Sequence, residues 1–158
     1  MNSKGQTIVE TAIILPILLI LVLGIFEFGR AMYIKNTLNN AARAGARAAV
    51  VLPRNSTGTP EGLVYPSATV TALSSNCNYE AGTANRYVYK TVCESLYSGI
   101  PRNQISVTVA INDLDSNGAL SSGDAVTVTV SWSTFETLIS KIIPMGNGLS
   151  GEASMRYE

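Results

Sequence analysis

Apolar residues fill the first part of the chain almost without interruption. Thr11 to Phe26 are 16 consecutive uncharged residues, with Glu10 before them and Glu27 after them. A helix from Ile8 to Phe26 measures about 28 Å at the helical rise, which is close to the thickness of a bilayer core. The run continues into further helix formers and does not end at the small-residue cleavage site of a secretory signal. It therefore predicts a retained transmembrane helix.

The composition stays helical beyond the apolar run, as far as Leu52, where Pro53 is expected to end the helix. A helix over residues 6–52 extends about 70 Å, which is longer than a membrane is thick. Small and apolar residues at spacings of three and four form one flat face: Ile34, Leu38, Ala41, Ala42, Gly45 and Ala49. This face favours packing against the chain's own head, and packing against another subunit is the alternative. Pro16 predicts a bend or one loosened turn.

The rest of the chain predicts a small head. Residues 104–111 and 125–132 alternate apolar and polar side chains, which indicates two strands of an antiparallel hairpin with one buried face. A third strand is expected at 149–157, and helices at 67–75, 84–97 and 135–143. The fold class is therefore α+β, with a long N-terminal transmembrane and stalk helix followed by helices packed on a short antiparallel sheet. The predicted domains are a leader at 1–5, the helix at 6–52 and the head at 53–158.

Composition narrows the range of functions. Eleven basic and eleven acidic residues cancel, so the charge balance does not favour a nucleic-acid partner. The chain has no histidine, which removes the commonest general base and the commonest metal ligand. Since no nucleophile has a recognisable base, we do not expect an enzyme.

The two cysteines, Cys77 and Cys93, are candidates for a disulfide. The bridge would close a loop of about 17 residues and contribute about 3 kcal/mol in the chain-entropy model. Two buried free thiols are the alternative. An exported head favours the bridge, whereas a metal site needs more ligands than two cysteines supply.

The loop between the hairpin strands, residues 113–124, resembles an EF-hand loop. Oxygen-bearing side chains stand at positions 1, 3, 5, 9 and 12, and glycine stands at position 6. The candidate Ca²⁺ ligands are Asp113, Asp115, Asn117, the carbonyl of Ala119, and Asp124. Position 12 is Asp in place of the longer Glu, and the flanks are predicted strands. Because the same residue types make ordinary solvated turns, calcium and a plain turn both stay open.

The start of the chain resembles the processing site of type IV pilin-like proteins. Gly5 is followed by four residues, then Glu10 and a hydrophobic helix. In such proteins a prepilin peptidase cuts after the glycine and leaves the glutamate as the fifth mature residue. The resemblance implies cleavage between Gly5 and Gln6, and a role for Glu10 in assembly.

Longer motifs are similar to the TadE-like proteins, minor pilins of Tad pilus systems. They lie at residues 9–12, 15–16, 27–30 and 40–49, and weaker similarity to the family's end lies at 123–130 and 153–158. The resemblance implies a structural pilin-like subunit with three kinds of partner: the membrane, other pilin-like subunits and a prepilin peptidase. The alternative is a signal-anchored envelope domain, stabilised by calcium, that binds a partner and does not polymerise.

The expected location is a single-pass inner or cytoplasmic membrane protein with its head outside the cytoplasm, or an extracellular pilus after assembly. A simple count of positive charges opposes this orientation, because Lys4 precedes the span while Arg30, Lys35, Arg43 and Arg47 follow it. We give more weight to the pilin-like leader, to the offset of Arg30 by Glu27, and to the cysteines.

Overall fold

The structure is a computed structural model that describes residues 3–51, 68–73, 77, 85–116, 121–136 and 148–158. Its regular elements are α1 (Ser3–Val50), β1 (Ala68–Val70), α2 (Arg86–Ser95), a short 3-10 turn (Arg102–Gln104), β2 (Ile105–Asn112), β3 (Ala125–Trp132) and β4 (Leu149–Arg156). The α+β prediction is confirmed.

Helix α1 is a single element of 48 residues that continues through Pro16, and it is about 72 Å long. It begins at Ser3, inside the predicted leader, and ends at Val50, two residues before the predicted end. Leu52 and Pro53 lie outside the described residues. The predicted rod is therefore confirmed, with boundaries shifted by two or three residues.

The two halves of α1 have different surroundings. From Gly5 to Phe26 no side chain is buried. From Ile34 onward one face is covered, and Leu38, Ala42 and Ala49 have no exposed surface. The helix is thus bare over its first half and part of the head over its second.

The head contains a four-stranded antiparallel sheet in the order β1-β2-β3-β4. The hairpin register pairs Ile105 with Trp132 at one end and Asn112 with Ala125 at the other. Strand β4 pairs with β3 along its whole length. The predicted hairpin and third strand are confirmed. The predicted alternation of buried and exposed side chains is observed in β2, where every second residue from Ile105 to Ile111 is buried.

The helix predicted at 67–75 is wrong. Ala68–Val70 form strand β1, which pairs antiparallel with Val107–Val109 of β2. Thr69 is β-branched and suits a pleated edge strand, and the edge of β2 supplies hydrogen bonds that a short isolated helix lacks.

The other two predicted helices have different outcomes. The one at 84–97 is confirmed as α2 (Arg86–Ser95), with Val88, Val92 and Leu96 buried as expected. The one at 135–143 lies outside the described residues except for Phe135 and Glu136, which are not helical.

Two glycines mark where α1 lies closest to the rest of the head. A Cβ on Gly45 would stand 2.5 Å from Val92 Cγ2 of α2 and 3.2 Å from Val128 Cγ1 of β3. A Cβ on Gly151 of β4 would collide with the backbone of Leu38 and Asn39. The small-residue face of α1 therefore packs against the chain's own head, as favoured from the sequence.

Candidate functional site

The bare half of α1 is the largest exposed apolar surface in the described part of the chain. The helix is long and apolar enough to cross a membrane, and none of its most apolar window is buried. Ile13, Ile20 and Phe26 are each more than 60% exposed. Surfaces of this size mark contact with lipid or with another protein.

The predicted processing and assembly residues all lie on this bare half. Gly5 has no atom within 4 Å of where a Cβ would stand, and Gln6 and Glu10 are exposed. Thr11 Oγ1 donates a hydrogen bond to the carbonyl of Thr7 at 2.9 Å, which satisfies that hydroxyl within the helix. The structure thus puts these residues on one accessible surface, and their roles stay predictions.

A charged pair stands where the apolar run meets the head. Glu27 is 4% exposed, and neither of its carboxylate oxygens has a hydrogen-bond partner among the described residues. Arg30 Nη1 lies 3.9 Å from Glu27 Oε2, and the Arg30 guanidinium lies 5.3 Å from the centre of the Phe135 ring. Arg30 therefore compensates a buried negative charge while keeping much of its own surface exposed. The sequence predicted only the charge offset, although the i,i+3 spacing also indicates a side-chain contact.

Next to this pair, aromatic side chains line a shallow groove, which we call the basal groove. Its lining includes Arg30, Tyr33, Ile34, Tyr97, Ile100 and Trp132. The rings of Tyr33 and Tyr97 meet edge to face with centroids 5.8 Å apart. Trp132 Nε1 donates hydrogen bonds to Gln104 Oε1 and Thr134 Oγ1, each at 3.0 Å, and this fixes the indole. The sequence did not indicate the groove, because its residues come from three separated segments.

The predicted disulfide is present. Cys77 and Cys93 are bonded to each other, with their Cα atoms 5.8 Å apart. Cys93 belongs to α2 and is fully buried. The bridge ties Cys77 to the core of the head.

The acidic loop brings three of its five candidate ligands together. Asp113, Asp115 and Asp124 each offer a carboxylate oxygen, and these oxygens all lie within 4.8 Å of one another. Asn117 and Ala119 lie outside the described residues. A hard cation prefers oxygen ligands of this kind, so the calcium hypothesis stays a prediction.

Asp124 also has a structural task in this loop. It is 1% exposed, and its Oδ1 accepts the N–H of Leu114 while its Oδ2 accepts the N–H of Ser121, both at 2.8 Å. Ser121 Oγ donates to Asp115 Oδ2 at 2.7 Å. Buried carboxylates bonded to backbone N–H groups stabilise a turn without any ion.

Among known proteins, residues 5–47 match the model of the TadE-like protein family. No curated protein and no solved structure matches the chain. The matched range begins at Gly5 and includes Glu10, the Glu27–Arg30 pair and most of the small-residue face. The resemblance is therefore confirmed for the N-terminal segment, whereas the similarity at 123–158 stays a prediction.

Proposed function

We propose that this chain, which is TadE-like over residues 5–47, is a minor pilin-like subunit of a Tad or type IV-like pilus. A prepilin peptidase would cut it after Gly5, and the mature chain would assemble through α1. The observation that carries the proposal is the division of α1, whose second half packs into the head while its first half is bare. The family match begins at the glycine where cleavage is proposed.

The bare half suits two successive environments. Before assembly its apolar side chains lie in the lipid bilayer as a single-pass anchor. After assembly the same side chains pack against the α1 helices of neighbouring subunits. Because the helix is continuous into the head, the position of the head follows the position of α1 in either state.

Glu10 would set how far neighbouring α1 helices are offset along their axes. A carboxylate near hydrocarbon is costly, about 2.5–3.5 kcal/mol at the centre of a span and less near its end. Cleavage after Gly5 creates an α-amine on Gln6, and the Gln6 amine of a neighbour then pairs with Glu10. The attraction is strong in a low-dielectric helix bundle, so it favours one axial offset between subunits.

The head lies outside the cytoplasm in this proposal. The Cys77–Cys93 disulfide supports that placement, because disulfides persist in oxidising compartments.

Substitutions at the two proposed positions separate processing from assembly. Gly5→Val should block cleavage, since the peptidase must approach the backbone closely there. Glu10→Ala should be cleaved normally but leave the chain in the membrane fraction and out of sheared pili. Glu94→Ala removes an exposed carboxylate of the head and serves as the charge-matched control, which should behave as wild type.

The outcomes also discriminate the alternative function. A chain that keeps its leader, stays in the membrane and is unaffected by Glu10→Ala is the signal-anchored envelope domain. Normal incorporation of the Glu10→Ala variant into pili would contradict the proposed pairing of Glu10 with the Gln6 amine of a neighbour.

A further inference from the structure

We propose that the basal groove anchors the head on the lipid headgroup layer, with Tyr33, Tyr97 and Arg30 as the contacting residues. This inference rests on the membrane anchoring of α1 in the proposed function. It is independent of processing, of pilus assembly and of which side of the membrane carries the head.

The position of the groove along α1 is the first support. Phe26 is the last residue of the apolar run, and Arg30 and Tyr33 follow it by about 6 Å and about 10 Å at the helical rise. The headgroup layer on each side of the hydrocarbon core is about 5–8 Å thick. When the apolar run fills the core, Arg30 lies within this layer. The backbone of Tyr33 lies just beyond it, and its side chain tilts back toward the layer because helical Cα–Cβ bonds point toward the N-terminus.

The second support is that a separate element brings another aromatic residue to the same depth. Val92 of α2 contacts α1 near Gly45, and the chain leaving α2 returns Tyr97 to the ring of Tyr33. Tyr33 and Tyr97 are each 53% exposed. Tyrosine combines an apolar ring with a polar hydroxyl and is enriched at membrane interfaces.

Charge is the third support. Arg30 has a 44% exposed side chain, whereas its partner Glu27 is buried. The groove therefore presents a cation, held in place by Glu27 and by the Phe135 ring, and its described lining contains no carboxylate. Such a surface is complementary to lipid phosphate groups.

Trp132 reports on the depth of the groove because it is the only tryptophan of the chain and it lines the groove, where it is 8% exposed. The full chain would be reconstituted into vesicles of equimolar phosphatidylcholine and phosphatidylglycerol. Lipids brominated high on the acyl chain should quench Trp132 fluorescence more than lipids brominated near the bilayer centre. Vesicles without phosphatidylglycerol should give less quenching.

A matched pair of variants identifies the contacting side chains. Replacing both Tyr33 and Tyr97 by Ser should reduce shallow quenching by about twofold, since the interfacial rings are lost. Tyr87→Ser is the control, because Tyr87 is 57% exposed but lies at the other end of α2, about 12 Å along the helix from its last residue, Ser95. A melting curve for each variant confirms that the head is folded.

The remaining outcomes overturn either this proposal or its premise. If the wild-type chain floats with the vesicles but no brominated lipid quenches Trp132, the groove faces away from the membrane and the inference fails. Efficient Tyr97→Cys cross-linking between copies in such vesicles would show that a second copy covers the groove, which also overturns it. A chain that does not float with vesicles would contradict the membrane anchoring itself.

Discussion

Glu27 and Arg30 form an ion pair at the boundary between the bare part of α1 and the head. The apolar run ends at Glu27, whose carboxylate is buried without hydrogen bonds and has Arg30 as its charge partner in the described structure. Breaking a buried ion pair from one side is costly, because a charge is left without compensation. The pair therefore fixes where the bare helix ends and the head begins.

Replacing Arg30 should destabilise the head through Glu27. We expect Arg30→Met to lower the free energy of unfolding by about 1–3 kcal/mol, less than a fully buried pair because Arg30 is partly exposed. Glu27→Leu added to Arg30→Met should restore most of this loss. Thermal melting of the full chain in detergent measures both effects, and a double variant as unstable as the sum of its parts would contradict the account.

The buried phenol of Tyr89 should make the head less stable at alkaline pH. Burial raises the pKa of the Tyr89 phenol, and a hydrogen bond from the Asn85 side chain opposes part of that rise. The neutral phenol is thus favoured in the folded state. Its contribution to the free energy of unfolding is complete below about pH 10 and is lost as pH rises through the raised pKa. Tyr89→Phe should melt with a smaller loss of stability above about pH 10 than wild type. Parallel pH profiles for the two proteins would refute this.

The acidic loop predicts two separable effects. Asp124→Ala should destabilise the head by about 1–3 kcal/mol with or without calcium, because the N–H groups of Leu114 and Ser121 lose their acceptor.

The calcium hypothesis adds that millimolar Ca²⁺ raises the melting temperature by mass action, and that Asp115→Asn weakens this increment. Identical melting curves in Ca²⁺ and in chelator would leave residues 113–124 as a plain turn.

At the scale of elements, periodicity predicted the helices and strands that pack over many residues. It failed for short segments. The small-residue face of α1 and the alternation of β2 and β3 were predicted because each repeats over eight or more residues. Strand β1 has three residues, and its structure depends on a partner strand more than 30 residues away. The basal groove was missed for the same reason, since Tyr33 and Tyr97 meet only through the tertiary fold.

Glycine substitutions in α1 test the contact between the helix and the head. Gly45→Leu should destabilise the head by about 3 kcal/mol or more, because its side chain would enter the space of Val92 and Val128. Gly29→Ala is the control. Its Cβ meets no atom within 4 Å, so it should be neutral or stabilise the helix by up to about 1 kcal/mol. Equal melting temperatures for Gly45→Leu and wild type would contradict the described packing.

At the scale of the whole molecule, helix α1 joins two parts with different roles. Its bare half carries the proposed function, and its other half is a structural element of the head. The head is held together by the sheet, by α1 and α2, and by the Cys77–Cys93 bridge. Gly5 lies within helix α1, so a peptidase that cleaves after it must first unwind the start of the helix. Glycine lowers the cost of this step by about 1 kcal/mol relative to alanine.

The mass of the mature protein is the most direct test of the central claim. Intact mass spectrometry of protein isolated from the membranes and pili of its native host should find a chain that begins at Gln6. The free amine of Gln6 would then be available to Glu10 of a neighbouring subunit. A chain that still carries Met1 to Gly5 in both fractions would contradict the claim that this protein is processed and assembled as a pilin-like subunit.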